Sequence, residues 1–171
     1  MPVARPAAAP TSPATAAIAA LRSAAELGDA DAVAELLAPE VVFHSPMTTR
    51  ARFEGKAEVA ALHRDIFAVL EVLDTSEPLE LGDTRAFTFR ARVRGVDGEA
   101  VLLARFDERG RIVEITIFAR PLPTLATLFA ALPPRVSARR RGRVRGAIAA
   151  ALTWPLAVVL RTADRAVPWF L

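Results

Sequence analysis

The sequence predicts an α+β domain in which helices lead, an antiparallel sheet follows, and the helices gather on one face of that sheet. Three observations predict it. Residues 56–72 repeat apolar side chains at helical spacing, with Val59, Leu62, His63, Ile66, Phe67 and Leu70 forming one stripe. Residues 84–94 alternate instead: Phe87, Phe89, Ala91 and Val93 face one way, and Thr88, Arg90, Arg92 and Arg94 the other. Finally, Gly95-Val96-Asp97-Gly98 and Asp107-Glu108-Arg109-Gly110 supply hairpin turns, so the second half reads as a meander of strands at about 76–82, 84–94, 99–106 and 111–119.

The remaining elements follow from their end signals. Residues 1–14 are rich in Ala and Pro without apolar periodicity and read as a disordered leader. Ser12-Pro13 has the form of an N-cap followed by Pro at the first helical position. Gly28 suits the position after the last turn, giving a helix over 13–27. Asp29 caps a second helix over about 30–38, with Val33, Leu36 and Leu37 inward and Pro39 ending it. Val41–Ser45 is a short strand stopped by Pro46. Beyond Pro121, Leu122–Leu132 reads as a short apolar helix, and Pro133-Pro134 as the boundary of a domain over 15–133. Residues 134–171 then form an Arg-rich linker and an apolar helical tail.

Composition excludes several chemistries. The chain has 171 residues and no Cys, so disulfides, thiolate metal sites and cysteine nucleophiles are ruled out. His44 and His63 are the only histidines, too few for a histidine-rich metal cage, and neither a metal nor a cofactor is expected. Lys56 is the single Lys among 22 basic residues, and with the abundant Ala and Pro this resembles the output of a GC-rich bacterial genome. Charge is concentrated at one end. Residues 135–171 hold 8 basic and 1 acidic side chains, a net of +7, against −4 for the rest, which together give the +3 of the whole chain. The basic character thus belongs to the tail, and nucleic acid is not an expected partner because nothing basic and aromatic is interleaved on the domain.

The run AAELGDADAVAELLAPEVVFHSP, followed by FEGKAEVAALH, RAFTFRARV and ARFDERGRIVEITIFARP, resembles the nuclear transport factor two superfamily, in its SnoaL-like and ketosteroid-isomerase-like branch. The resemblance covers about residues 15–133. It implies a curved sheet wrapped by helices around a cone-shaped pocket, and commonly a homodimer. It does not imply one activity, since such folds host isomerases, cyclases, epoxide hydrolases and non-catalytic domains. Position by position, the isomerase groups are replaced. The base before a proline at the end of the first strand is Ser45, the oxyanion tyrosine is Leu21, and the protonated aspartic acid falls at Leu102. The epoxide-hydrolase acids fall at Ile117 and Phe87. Enolate chemistry needs a base and oxyanion donors that serine and leucine do not supply.

The expected pocket wall is Leu21, Phe43, Ser45, Met47, His63, Phe67, Phe87, Phe89, Leu102, Ala104, Ile115 and Ile117. That lining suits a small hydrophobic molecule bound without turnover. Two alternatives stay open. In one, His63 serves as general base of an isomerase, cyclase or hydrolase, with Ser45 beside it; in the other, His63 is a core histidine with both nitrogens satisfied. His44 is expected on the opposite face, and Glu114 is expected to pair with Arg90 or Arg92.

The tail carries a third reading, a peripheral membrane or assembly protein, beside the alternative that its helix packs on the domain or on a partner subunit and the Arg run is a solvated linker. Arg139, Arg140, Arg141, Arg143 and Arg145 would meet an anionic surface, with Trp154, Trp169 and Phe170 as anchors. Ala147–Leu160 is uncharged but only about 21 Å long as a helix, short for a bilayer core, and Pro155 would interrupt it. The leader lacks the continuous apolar core of a secretory signal, so the expected location is cytoplasmic, at the inner face of the membrane if the tail binds there.

Overall fold

The computed structural model describes residues 12–166. The expected leader lies outside these residues except for Ser12–Ala14, which cap and begin the first helix; Trp169 and Phe170 also lie outside. Helix α1 (Pro13–Leu27) starts as the sequence indicates, with the Thr15 amide donating to Ser12 Oγ at 3.1 Å, and it closes on Gly28. Helix α2 (Ala30–Leu36) is capped by Asp29, which accepts from the amides of Asp31 and Ala32.

Strand β1 (Leu37–His44) begins earlier than the sequence suggests and contains Pro39, which was expected only to end α2. The pairing of β1 with the last strand shifts register between Leu37 and Val42, so Pro39 sits where no ladder bond is required of it. A two-residue strand β2 (Phe53–Glu54), too short to leave a pattern in the sequence, pairs with β1. Helix α3 (Lys56–Phe67) stops three residues before its apolar stripe ends at Leu70. Glu71 must already be extended there, since its amide donates to the Arg92 carbonyl.

Of the strand expected at 76–82 only β4 (Leu79–Leu81) forms, and an unforeseen strand β3 (Val72–Thr75) precedes it; both are antiparallel to β5 (Thr84–Val93). Pro78 lies in the gap and has no amide to offer the ladder. The next turn is shorter than expected: Arg94-Gly95 alone, both at positive φ, joins β5 to β6 (Val96–Phe106). Gly98 therefore belongs to the strand, where its role is close approach. A Cβ there would come within 2.4 Å of the Thr124 side chain. Strand β7 (Ile112–Arg120) completes one curved, unclosed sheet in the order β2-β1-β7-β6-β5-β3, with β4 beside β5. All pairs are antiparallel except β1–β7, which is parallel.

The helices gather on one face, over a core that includes Ile18, Leu21, Val33, Val59, Leu62, Ile112 and Ile115. The other face carries cross-strand ion pairs, among them Arg105–Glu114 and Arg120–Glu99. Glu114 thus pairs with Arg105, its direct cross-strand neighbour, and with His44 at 3.2 Å, rather than with Arg90 or Arg92 a strand further away.

The largest departure is at the C-terminus. Helix α4 (Leu122–Arg141) does not stop at Leu132 but runs through Pro133 and Pro134. Each internal proline costs a helix about 3 kcal/mol in isolation. Here packing opposes that cost, because Leu132 and Val136 are buried on either side of the prolines and the last turn is tied to α3. Arg139 and Arg140, expected in a linker or on an anionic surface, instead bind Glu58, and Arg139 also binds Asp65. Arg140 lies over the Phe53 ring, 4.6 Å from its centroid. Helix α5 (Arg143–Ala166) then turns back along α4. It passes through Pro155, which sits on its exposed side. Gly146 makes the turn-back close: a Cβ there would lie 2.7 Å from that of Ala138.

Candidate functional site

Alternation along β5, β6 and β7 aims Phe87, Phe89, Leu102 and Ile117 inward, while α1, α3 and β1 bring Leu21, His63, Phe67 and Phe43 to meet them. These side chains, with Ser45 and Met47 after β1, line a cavity of about 410 Å³. Ala104 and Ile115 were expected on the same wall and are not. They pair across β6 and β7 one step beyond Leu102 and Ile117, both fully buried. The cone is solid at that depth, so the cavity ends above them.

Helix α4 supplies a wall that the sequence did not reveal. Thr124, Leu128, Leu132 and Val136 recur every four residues and face the cavity. No polar signal marks them, and a helix assumed to end at Leu132 could not have contributed Val136. Phe53, Leu62, Ile66 and Phe129 add to the apolar lining, while Arg120, Arg140 and Arg141 border it with charge.

His63 is the one titratable group set deep in this wall, 6% exposed. Its ring stands edge-on to Phe43 and to Phe67, with centroids 5.8 Å away in each case. Nδ1 lies 2.8 Å from the Val59 carbonyl oxygen, which can only accept, so Nδ1 carries the proton. Nε2 is then a bare acceptor, with no partner among the described residues. Burial lowers the pKa of His63 from its ordinary 6.5, against a smaller upward push from the Val59 carbonyl. Ser45 is placed differently. Its Oγ accepts from the Met47 amide at 3.2 Å in a local turn, and no hydrogen bond links it to His63, so the pair forms no dyad. Glu99 reaches the rim, but its carboxylate pairs with Arg120 at 2.8 Å on the outer side of the sheet. His44 is half exposed on that same outer side and away from the cavity. Among the described residues no three His, Asp or Glu side chains cluster as metal ligands would.

The lowered pKa has a measurable consequence. The unfolded chain takes up the proton of His63 at higher pH than the folded chain, so its contribution is intact above about pH 6.5 and is lost as pH falls below that value. Thermal unfolding followed from pH 7.5 to pH 5 should show a fall in midpoint that is reduced in His63→Phe. An equal slope in the two proteins would mean the ring is not held neutral by burial.

The family model for the SnoaL-like domain matches residues 18–115, more than half of the chain. The chain belongs to the SnoaL-like family. In three dimensions this SnoaL-like chain is similar to a steroid delta-isomerase from Pseudomonas aeruginosa, with 26% identity and a TM-score of 0.69 over 77% of this chain and 98% of that one. It is equally similar to an uncharacterised protein with a cystatin-like fold from Silicibacter pomeroyi DSS-3, at 26% identity and a TM-score of 0.69, covering 75% of this chain and 91% of that one. An epoxide hydrolase/cyclase-like enzyme of pyran ring formation in salinomycin shares the fold at 16% identity and a TM-score of 0.53, over 61% of this chain and 88% of the enzyme. No curated protein matches the sequence.

Proposed function

We propose that this SnoaL-like chain binds one small, largely apolar molecule and holds it by a hydrogen bond to His63, without turning it over. The carrying observation is the cavity itself, about 410 Å³ with a mainly apolar lining and the unpaired Nε2 of His63 set deep in it. A volume in this range suits a small ligand. Leu21, Ser45 and Leu102, the positions matched to isomerase groups, all border the cavity and supply neither an acid nor an oxyanion donor strong enough for enolate chemistry. Menthol and p-menthane probe this directly, since they differ by one hydroxyl. Menthol should bind roughly 2- to 10-fold more tightly in calorimetry, the share of one net hydrogen bond of about 0.5–1.5 kcal/mol. The gap should close in His63→Phe. Binding of neither compound, or a gap that survives the substitution, refutes the reading.

The likeness to the steroid delta-isomerase favours a second reading, turnover with His63 as general base. A β,γ-unsaturated 3-ketosteroid separates the two. Conjugated enone formed by the native chain and not by His63→Ala would replace the binding reading with the catalytic one.

A further inference from the structure

Helix α5 presents an unusual surface for a chain in water. Its inner side packs on α4 through small side chains: Gly146 approaches Ala138, and Ala157 meets Ala126 and Ala130. Its outer side has none of the described residues packed over it. Val144, Ile148, Leu152 and Val159 recur along this ridge with exposures of 75%, 54%, 72% and 62%, and Trp154 beside them is 61% exposed. A monomer seldom leaves so long an apolar strip in water unless something covers it.

Charge indicates what covers it. Residues 115–163 contain no Asp or Glu. Arg141, Arg143 and Arg145 cluster at the start of the ridge, exposed and without an ion pair to any described residue, unlike Arg139 and Arg140. A second copy of the ridge would offer these guanidinium groups no carboxylates except Asp164. An anionic lipid surface would offer phosphates beside hydrocarbon, which matches both halves of the pattern. The 22 residues Arg143–Asp164 are long and apolar enough to cross a bilayer by length and composition. However, the inner side of the helix is already committed to α4, which leaves one face for lipid.

We propose that the outer face of α5 docks on an anionic bilayer, with the helix lying in the interface and Arg141, Arg143 and Arg145 on the lipid phosphates. The proposal does not depend on what the cavity binds.

Flotation of the full chain with vesicles tests it, using phosphatidylcholine alone and phosphatidylcholine with about 30% phosphatidylglycerol. The chain should float with the anionic vesicles, bind at least about tenfold less to the neutral ones, and come off as salt rises from about 0.1 to about 0.5 M. Tryptophan emission should shift to the blue on binding. Ile148→Glu/Leu152→Glu changes only exposed positions, and Arg143→Glu/Arg145→Glu removes the phosphate contacts; each should abolish flotation while the thermal midpoint and the circular dichroism spectrum stay unchanged. Four results would overturn the proposal: no flotation with anionic vesicles, flotation that survives Ile148→Glu/Leu152→Glu, retention through an alkaline carbonate wash (a spanning helix), or a dimer that this double variant splits without any vesicle binding (a second copy on the ridge).

Discussion

Arg139→Ala should destabilise the chain by about 2–3 kcal/mol and free the second half of α4. The guanidinium of Arg139 reaches Asp65 at 2.8 Å and Glu58 at 3.0 Å, and Asp65 has no other hydrogen-bond partner among the described residues. Asp65 is 8% exposed, so the substitution leaves a largely buried carboxylate without its cation. Breaking one side of a fully buried pair costs about 3–5 kcal/mol; the figure here is lower because the Arg139 and Glu58 side chains keep 29% and 26% exposure. Arg140→Ala should cost less, since Arg139 still serves Glu58. Urea unfolding gives the magnitudes, and hydrogen exchange across residues 133–141 locates the loss. The test is sharpened by Arg139→Ala/Asp65→Asn, which should recover part of the deficit. A cost below about 0.5 kcal/mol would show that this cluster does not pin α4. Acid should act in the same direction. Hydrogen bonds from Arg139, and then Arg140, hold the Glu58 carboxyl below its ordinary 4.5, so its contribution is complete above that pH and is lost as pH falls below it.

Phe43→Ala should be costlier, about 3–5 kcal/mol, because it removes a large buried side chain from a site that cannot collapse. The Phe43 ring stands edge-on to Phe53 at 6.2 Å and to His63 at 5.8 Å, so both neighbours lose an aromatic contact as well as packing. Those neighbours are fixed from elsewhere, His63 by its bond to Val59 and Phe53 by its pairing with Phe43 in the β1–β2 ladder, a backbone contact the substitution leaves in place. The cavity should therefore enlarge toward β2. Unfolding measures the cost. Titration with alcohols bulkier than menthol tests the enlargement, and unchanged size selectivity would show that the wall had fallen inward.

The sequence revealed most where a single element carries its own signals. Ser12, Pro13 and Gly28 mark both ends of α1, and the alternation from Phe87 to Val93 orients β5 with no reference to its neighbours. The stripe containing His63 likewise placed that ring in the interior. Features that depend on distant partners were hidden. Pro133-Pro134 reads as a stop because the contacts that carry α4 past it, Arg139 with Glu58 and Asp65, join residues more than 70 positions apart. Glu114 finds Arg105 because β6 and β7 are adjacent, whereas Arg90 and Arg92 look equally suitable in one dimension. Ala104 and Ile115 have the correct inward parity, yet parity says nothing of depth. Where the cone becomes solid depends on side chains contributed by α1, α2 and β1 together.

The two adjacent prolines of α4 also bear on how the cavity wall is held. Neither nitrogen carries a hydrogen, so the carbonyls of Phe129 and Ala130 have no donor four residues ahead. Midway along the partition between the chamber and the outermost helix, the chain can flex without rupturing a ladder bond. Phe129 and Pro133 both border the chamber at this seam. The chamber wall at this seam is therefore held by the side chains of Leu132 and Val136, and its firmness depends on burial where the rest of the helix can lean on its own backbone.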